Sequence, residues 1–409
     1  MARIPVLFRF SLYGFLKNQQ YYDPFIILAF REKGLSFFMI GLLMAFRDIF
    51  INIFEIPSGA IADLYGRRIS MILSFVAYII SFLIFGGCRV VWLLFAAMYF
   101  FAIGEAFRTG THKAMIFTWL RNNDRLADRT KTYGYTRSWS KIGSAVSVVV
   151  ATALVFYTGN YSAIFYWCII PYVLNIINFM GYPKEVDIER DKKVSMVVIV
   201  RHLWDSFVQM FHEKDLRRLL IEDIGFEGTF NTVKDYLQPI LKSAAVALPI
   251  LVFLNTQKRS AILIGIVYCI LYILSSIASR RAHELVERAG GEEQAARWLW
   301  CMNLIMFGIL TPLLYTGHYL GASGCFVLMA ILQNFWRPVI ITRIDHHSKE
   351  ESGATILSIE SQSRTFFNML MAPVLGMIVD HLGFGPIGVL GLMITLLVMV
   401  MGKRSILEK

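Results

Sequence analysis

Apolar residues run along this chain in long blocks broken by charge, glycine or proline, and most blocks approach the 20 or so apolar residues that a membrane helix needs. They predict spans at 5–30, 36–60, 70–87, 91–118, 133–157 and 161–182, then at 217–241, 261–279, 298–317, 322–343, 357–382 and 386–402. The expected fold is all-α and integral to the membrane, with twelve transmembrane helices in two six-helix halves. Those halves occupy 1–182 and 217–409, joined by a cytoplasmic linker at 183–216. In the linker Val197, Val200, Leu203, Trp204, Phe207 and Phe211 recur at helical spacing after a basic stretch, which predicts an amphipathic helix on the membrane surface. The apolar stretch 244–254 is too short to span and is expected to lie flat or to extend the seventh span.

Composition agrees. A chain of 409 residues that is 56% hydrophobic, with a mean hydropathy of +0.56, is too apolar for a soluble core or a disordered polymer. Its net charge of +11 would point to nucleic acid in a soluble protein. Here, however, 24 Lys and Arg fall in segments on the side of the two termini and 6 on the other. Cytoplasmic loops carry such an excess, so the charge reports orientation, with both termini cytoplasmic, and a nucleic-acid partner loses its support. Five scattered cysteines without a CxxC spacing give no disulfide framework and no zinc site.

Charge inside the spans is unevenly shared. Arg9, Lys17, Arg47, Arg108, Lys113, Arg137, Lys141, Lys234, Arg337 and Arg364 lie on spans 1, 2, 4, 5, 7, 10 and 11, and most of the buried acids follow them. One set of helices is therefore expected to line an aqueous cavity and the other to face lipid, because an intramembrane charge costs several kcal/mol unless paired or wetted. The charges recur at helical spacing: Glu105, Arg108 and His112; Arg137, Lys141 and Ser144; Asp223, Glu227 and Asn231; Glu360, Arg364 and Asn368. Each set forms one stripe. The two halves echo each other faintly, since Arg108 precedes Arg137 by 29 residues and Arg337 precedes Arg364 by 27.

After Pro57 the chain reads Gly59-Ala60-Ile61-Ala62-Asp63-Leu64-Tyr65-Gly66-Arg67-Arg68. This resembles the GxxxDxxGRR signature of the major facilitator superfamily. The resemblance implies that superfamily's twelve-helix fold and a gating role for Gly59, Asp63, Gly66, Arg67 and Arg68, latching the inner gate. The second-half counterpart, Ser279-Arg280-Arg281, lacks the glycines and the aspartate. Pro373, Gly376, Asp380 and Gly383 repeat a similar spacing at the end of span 11, where helix packing is the favoured reason. Glu55-Ile56-Pro57-Ser58-Gly59 and the stretch from Gly104 to Lys113 look like a bacterial branch of the superfamily.

Other patterns carry less. Gly383-Phe384-Gly385-Pro386-Ile387-Gly388 satisfies GxGxxG but lies in a turn with no strand before it, so it is no nucleotide fingerprint. Asp345, His346, His347, Glu350 and Glu351 read as a solvated loop rather than a metal site. No enzymatic motif, cofactor or metal is expected.

The function expected is secondary active transport of a small anionic organic solute by alternating access, in a bacterial inner membrane, by a monomer whose other contacts are lipid and protons. Lys17, Arg108, Arg137, Lys141, Arg337 and Arg364 are the candidate substrate-binding residues, because several basic donors suit carboxylate or phosphate. Pairing of Glu105 with Arg108 and of Glu360 with Arg364, merely cancelling charge, is equally open. Glu55, Glu105, Asp223 and Glu227 are the candidate proton-coupling acids. Efflux of lipophilic or cationic compounds, served by 32 Phe, 18 Tyr and 18 Met, and a non-transporting sensor of the same fold are the alternatives.

Overall fold

The computed structural model describes residues 5–109, 111–125, 128–183, 186, 213–249, 251–347 and 353–407, and every regular element among them is helical. Two compact units form, Met1–Leu35 with Phe46–Met196, and Ser36–Ala45 with Val197–Lys409. Most of the predicted linker, 184–185 and 187–212, lies outside the described residues, and with it the expected surface helix.

In the first unit α1 (Val6–Lys17), a 3-10 turn (Asp23–Phe25) and α2 (Ile26–Glu32) take the place of the single helix expected over 5–30. The cause is local: Asn18 turns its side chain back onto the Gly14 carbonyl at 2.6 Å, and Pro24 lacks the N–H that a continuing helix requires. The next helices, α3 (Phe37–Tyr65) and α4 (Arg67–Gly87), are joined by Gly66 alone. Its φ of +96° is left-handed space that a side chain would oppose. The helix predicted for 91–118 is also interrupted: α5 (Val91–Arg108) stops where Thr109 turns extended, and α6 (Thr111–Asn122) begins afresh. Two further helices, α7 (Arg129–Thr158) and α8 (Ile164–Met180), complete the unit.

The second unit opens with another segmented helix. Here α9 (Lys214–Asp223) runs into a π-helical turn (Ile224–Gly228), α10 (Thr229–Val233), a 3-10 turn (Lys234–Tyr236) and α11 (Leu237–Ala247). A π-turn inside a helix often marks a functional position, and this one holds Glu227. The apolar stretch from 244 partly extends this span, as α11 ends at Ala247. Then follow α12 (Thr256–Arg280), α13 (Ala282–Ala289), α14 (Glu292–Tyr315), α15 (Tyr319–His347), α16 (Gly353–Leu382) and α17 (Gly385–Leu407). Asp345, His346 and His347, expected in a loop, continue α15, while Glu350 and Glu351 lie outside the described residues.

Eight helical stretches among the described residues are long and apolar enough to cross a membrane, and Ile164–Met180 and Gly385–Met401 are shorter apolar helices. The two expected spans missing from this set, the first and the seventh, are both segmented. The helices whose expected spans are free of basic charge, α4, α8, α12, α14 and α17, each present large exposed apolar side chains. Trp92, Tyr157 and Tyr315, all at helix ends on the predicted outer side, are 82%, 82% and 62% exposed, the placement of an interfacial aromatic belt.

Candidate functional site

In the first unit α1 lies against α7 at very short range. A Cβ added at Gly143 would stand 2.5 Å from the Phe15 carbonyl oxygen, and Gln19 Nε2 donates to the Gly143 carbonyl at 3.0 Å. The contact brings Lys17 beside the α7 stripe of Thr136, Arg137, Ser140, Lys141 and Ser144. With Glu105, Arg108, His112 and Lys113 from α5 and α6, these residues line a cavity of about 610 Å³.

Charge in this cavity is out of balance. Arg108 forms an ion pair with Glu105, and Tyr78 donates its hydroxyl to the same carboxylate. Arg108 Nε also reaches the Tyr78 oxygen at 3.3 Å, so the Arg108 guanidinium is committed. Lys17, Lys113, Arg137 and Lys141 line the same cavity, and among the described residues no carboxylate pairs with them. Lys113 instead sits 5.7 and 5.6 Å from the rings of Phe117 and Tyr133, a weak cation–π arrangement.

His112 is buried and accounted for. Its ring stacks on Tyr13 with centroids 3.8 Å apart, and Nε2 lies 3.2 Å from the Tyr182 hydroxyl. Tyr182 places its single proton on the Arg9 carbonyl at 3.1 Å. The hydroxyl can therefore only accept from His112, which assigns the proton of the imidazole to Nε2.

The second unit pairs its charges. Asp223 closes α9, Glu227 lies in the π-turn, Gln333, Trp336 and Arg337 share α15, and Glu360 and Arg364 are one turn apart on α16. Arg337 Nη1 meets Glu360 at 2.5 Å and Glu227 at 3.3 Å. Arg364 Nε meets Asp223 at 3.3 Å and Glu360 at 3.4 Å, and its Nη1 pairs with Glu227. Gln333 and Trp336 donate to Glu227 and Asp223 at 3.4 and 3.0 Å, and Trp336 is itself wedged on Phe226 with centroids 4.4 Å apart.

Three carboxylates and two guanidiniums leave one negative charge. Oxygens of Asp223, Glu227 and Glu360 fall within 4.8 Å of one another, the spacing of a cation site. Two guanidiniums already serve as their counter-ions.

A second network in this unit was not foreseen. Arg343 donates to Glu222 at 2.7 Å and to Glu293 at 2.9 and 3.0 Å, while Arg218 meets the same two acids at 2.7 and 3.0 Å. This ring ties α9, α14 and α15 together. Arg343, the last residue of the tenth expected span, is 2% exposed. The i, i+4 spacing of Arg218 and Glu222 was the available signal; Glu293 and Arg343 offered none.

Of the predicted gating residues, Arg67 donates to Thr118 at 2.8 Å and Arg68 to the Tyr182 carbonyl at 3.1 Å. Gly59 lies on α3, and the Asp63 side chain lies outside the described ones. Of the predicted substrate set, the structure gathers Lys17, Arg108, Arg137 and Lys141 around one cavity and places Arg337 and Arg364 on carboxylates. Of the predicted acids, Asp223 and Glu227 share one cluster and Glu105 stands on Arg108, whereas Glu55 is half-buried on α3 and does not line the cavity. Lys113, in the cavity wall, was absent from the predicted substrate set.

A family model described as the Major Facilitator Superfamily matches residues 17–363. An uncharacterized MFS-type transporter, YxaM of Bacillus subtilis (strain 168), is 23% identical over 224 residues, which are 54% of this chain and 54% of that relative. The chain thus matches about half the length of this curated relative. Among solved structures, the nucleoside transporter NupG superposes with a TM-score of 0.74 at 12% identity, covering 98% of this chain and 97% of that one. A POT family transporter in complex with 5-aminolevulinic acid gives 0.73 at 13%, covering 98% and 96%. At such identities the likeness is one of fold.

Proposed function

Because this chain belongs to the Major Facilitator Superfamily, whose members carry solutes across membranes, we propose that it moves a small anionic organic solute by alternating access, with a proton as the coupling ion. It is a multi-pass integral membrane protein, and the charge asymmetry of its loops favours an inner membrane with both termini cytoplasmic. One observation carries the reading: the first-unit cavity holds five cations against one carboxylate, and the carboxylate is taken by Arg108. Such a wall attracts anions and repels the cations an efflux pump of lipophilic amines would have to hold. Lys17, Arg137 and Lys141 are the binding residues, with Arg108 held in place by Glu105 and Tyr78.

The coupled proton belongs to the second unit. Asp223, Glu227 and Glu360 carry the cluster's one surplus negative charge, and Arg337 and Arg364 hold them together. Uptake into proteoliposomes tests both halves of the proposal. Anions, not cations or neutral solutes, should be accumulated, and a pH gradient should drive them. A double variant, Asp223→Asn with Glu227→Gln, should lose the gradient dependence yet keep exchange of solute for solute. Full gradient dependence in that variant would remove the cluster from the coupling step, and accumulation of cations by the wild type would remove the anion.

A further inference from the structure

We propose that the solute is a phosphate monoester of a polyol, taken as its dianion. The inference rests on the anionic-solute reading above and gives that anion a chemistry. Arg137 and Lys141 are one turn apart on α7, with Cβ atoms about 6 Å from each other, and both line the cavity with no acidic partner among the described residues. Two cations so close address one compact group rather than two separated carboxylates. Lys17, held next to α7 by the close approach of α1, supplies a third. A phosphoryl group offers three acceptor oxygens and roughly −1.5 to −2 charge near neutral pH. The guanidinium can take two oxygens side by side and the lysines act as point charges. A monoanion would leave three of the four unpaired positive charges uncompensated, and a dianion leaves two.

The hydroxyls beside these cations read a different part of the molecule. Thr136 donates its proton to the Tyr133 carbonyl at 2.9 Å, Ser140 to Thr136 at 3.4 Å and Ser144 to Ser140 at 3.2 Å. Each hydroxyl has one proton and an acceptor for it within the protein, Asn18 Oδ1 at 3.4 Å being a second one for Ser144, so what remains is lone pairs. A row of acceptors at i, i+4 and i+8 suits a solute that donates, as a chain of alcohol groups does, and does not suit the anion itself. Cations for the phosphoryl group and acceptors for the hydroxyls stand along one helix.

Four probes that share a six-carbon polyol chain separate the possibilities: sorbitol 6-phosphate, sorbitol 6-sulfate, glucarate and gluconate. Binding to the purified full chain is measured by calorimetry at pH 5.5 and pH 7.5. The phosphate ester should bind most tightly at pH 7.5. Relative to the sulfate ester, which keeps one charge throughout, it should gain about fourfold between the two pH values, the change in dianion fraction for a second pKa near 6. Arg137→Gln and Lys141→Gln should each weaken it at least tenfold, with partial recovery in Arg137→Lys. Ser140→Ala should weaken sorbitol 6-phosphate but not inorganic phosphate, a difference that a misfolded variant would not produce. Equal affinity and equal pH dependence for the sulfate ester, or tightest binding of glucarate, would overturn the phosphate monoester while leaving an anionic solute. Binding of none of the four, with binding of a lipophilic cation, would overturn the anionic-solute reading itself.

Discussion

The two units hold buried charge in opposite conditions. In the first, four cations line a cavity with no acid of their own among the described residues, and the fifth, Arg108, is closed on Glu105 and Tyr78. In the second, Arg337 and Arg364 are shared among Asp223, Glu227 and Glu360, while Arg218 and Arg343 are shared between Glu222 and Glu293. Counting arginines does not find a binding site. What separates the two is whether the surrounding protein has already supplied the counter-charge, since a paired guanidinium has little left for a solute.

The contrast breaks first at Arg364. Replacing one partner of a buried ion cluster leaves the others uncompensated and costs about 3–5 kcal/mol, so Arg364→Gln should lower the melting temperature of the purified protein more than any other single change named here. Adding Glu227→Gln to Arg364→Gln removes the stranded charge and should recover much of the loss. Lys141→Gln, in the open cavity, should stay within about 0.5 kcal/mol of wild type or gain slightly as repulsion with Arg137 falls. Equal losses at Arg364 and Lys141 would show that the first-unit cations are as structural as the second-unit ones.

A smaller step concerns Tyr78, which links the committed part of the first unit to its core. Its ring is fully buried among Phe75, Phe82, Phe101 and Tyr172, so Tyr78→Phe keeps the packing and removes only the hydroxyl. A hydrogen bond to a charged group contributes about 1.5–3 kcal/mol, and thermal unfolding should fall by that order. Anion affinity should fall with it if Arg108 takes part in binding, and stay level if Lys17, Arg137 and Lys141 suffice.

Much of this architecture is legible in the sequence, for physical reasons that also mark where legibility stops. Lipid demands continuous apolar runs, so the spans and the charge-free helices are visible without coordinates. Helical spacing shows that Arg137 and Lys141, or Glu360 and Arg364, share a face. It does not show which faces meet. Glu360 and Arg337 are 23 residues apart in sequence and in contact in space, and nothing local distinguishes them from Arg137, which has no such partner among the described residues. Breaks in the fourth and seventh spans are equally hidden, because an extended Thr109 or a π-turn at Ile224–Gly228 leaves hydropathy unchanged. The motif at Gly59–Arg68 was legible because Gly66 is required by its φ of +96°, a demand that only one residue type meets without strain.

That demand also explains the second spacing of the same kind. Gly376, Asp380 and Gly383 repeat the intervals of Gly59, Asp63 and Gly66, and Gly383, like Gly66, closes its helix with a positive φ, +74°. Asp380 shows what the aspartate can do in such a turn: its two carboxylate oxygens accept the backbone N–H groups of Phe37 and Phe38 at 2.9 and 2.7 Å. The first turn of α3 has no helical partner for these groups, and Ser36 supplies the next, accepting from Met39 N–H at 3.1 Å. A charge used in this way is not free for a solute. It satisfies backbone, and its worth is that of a cap. Asp380→Ala should therefore cost about 1 kcal/mol and Asp380→Asn only a few tenths, because the amide oxygen still accepts. Losses of that size, seen as thermal shifts and insensitive to the anion present, would set Asp380 apart from both clusters. A loss as large as that of Arg364→Gln would mean that the start of α3 is held by more than its cap.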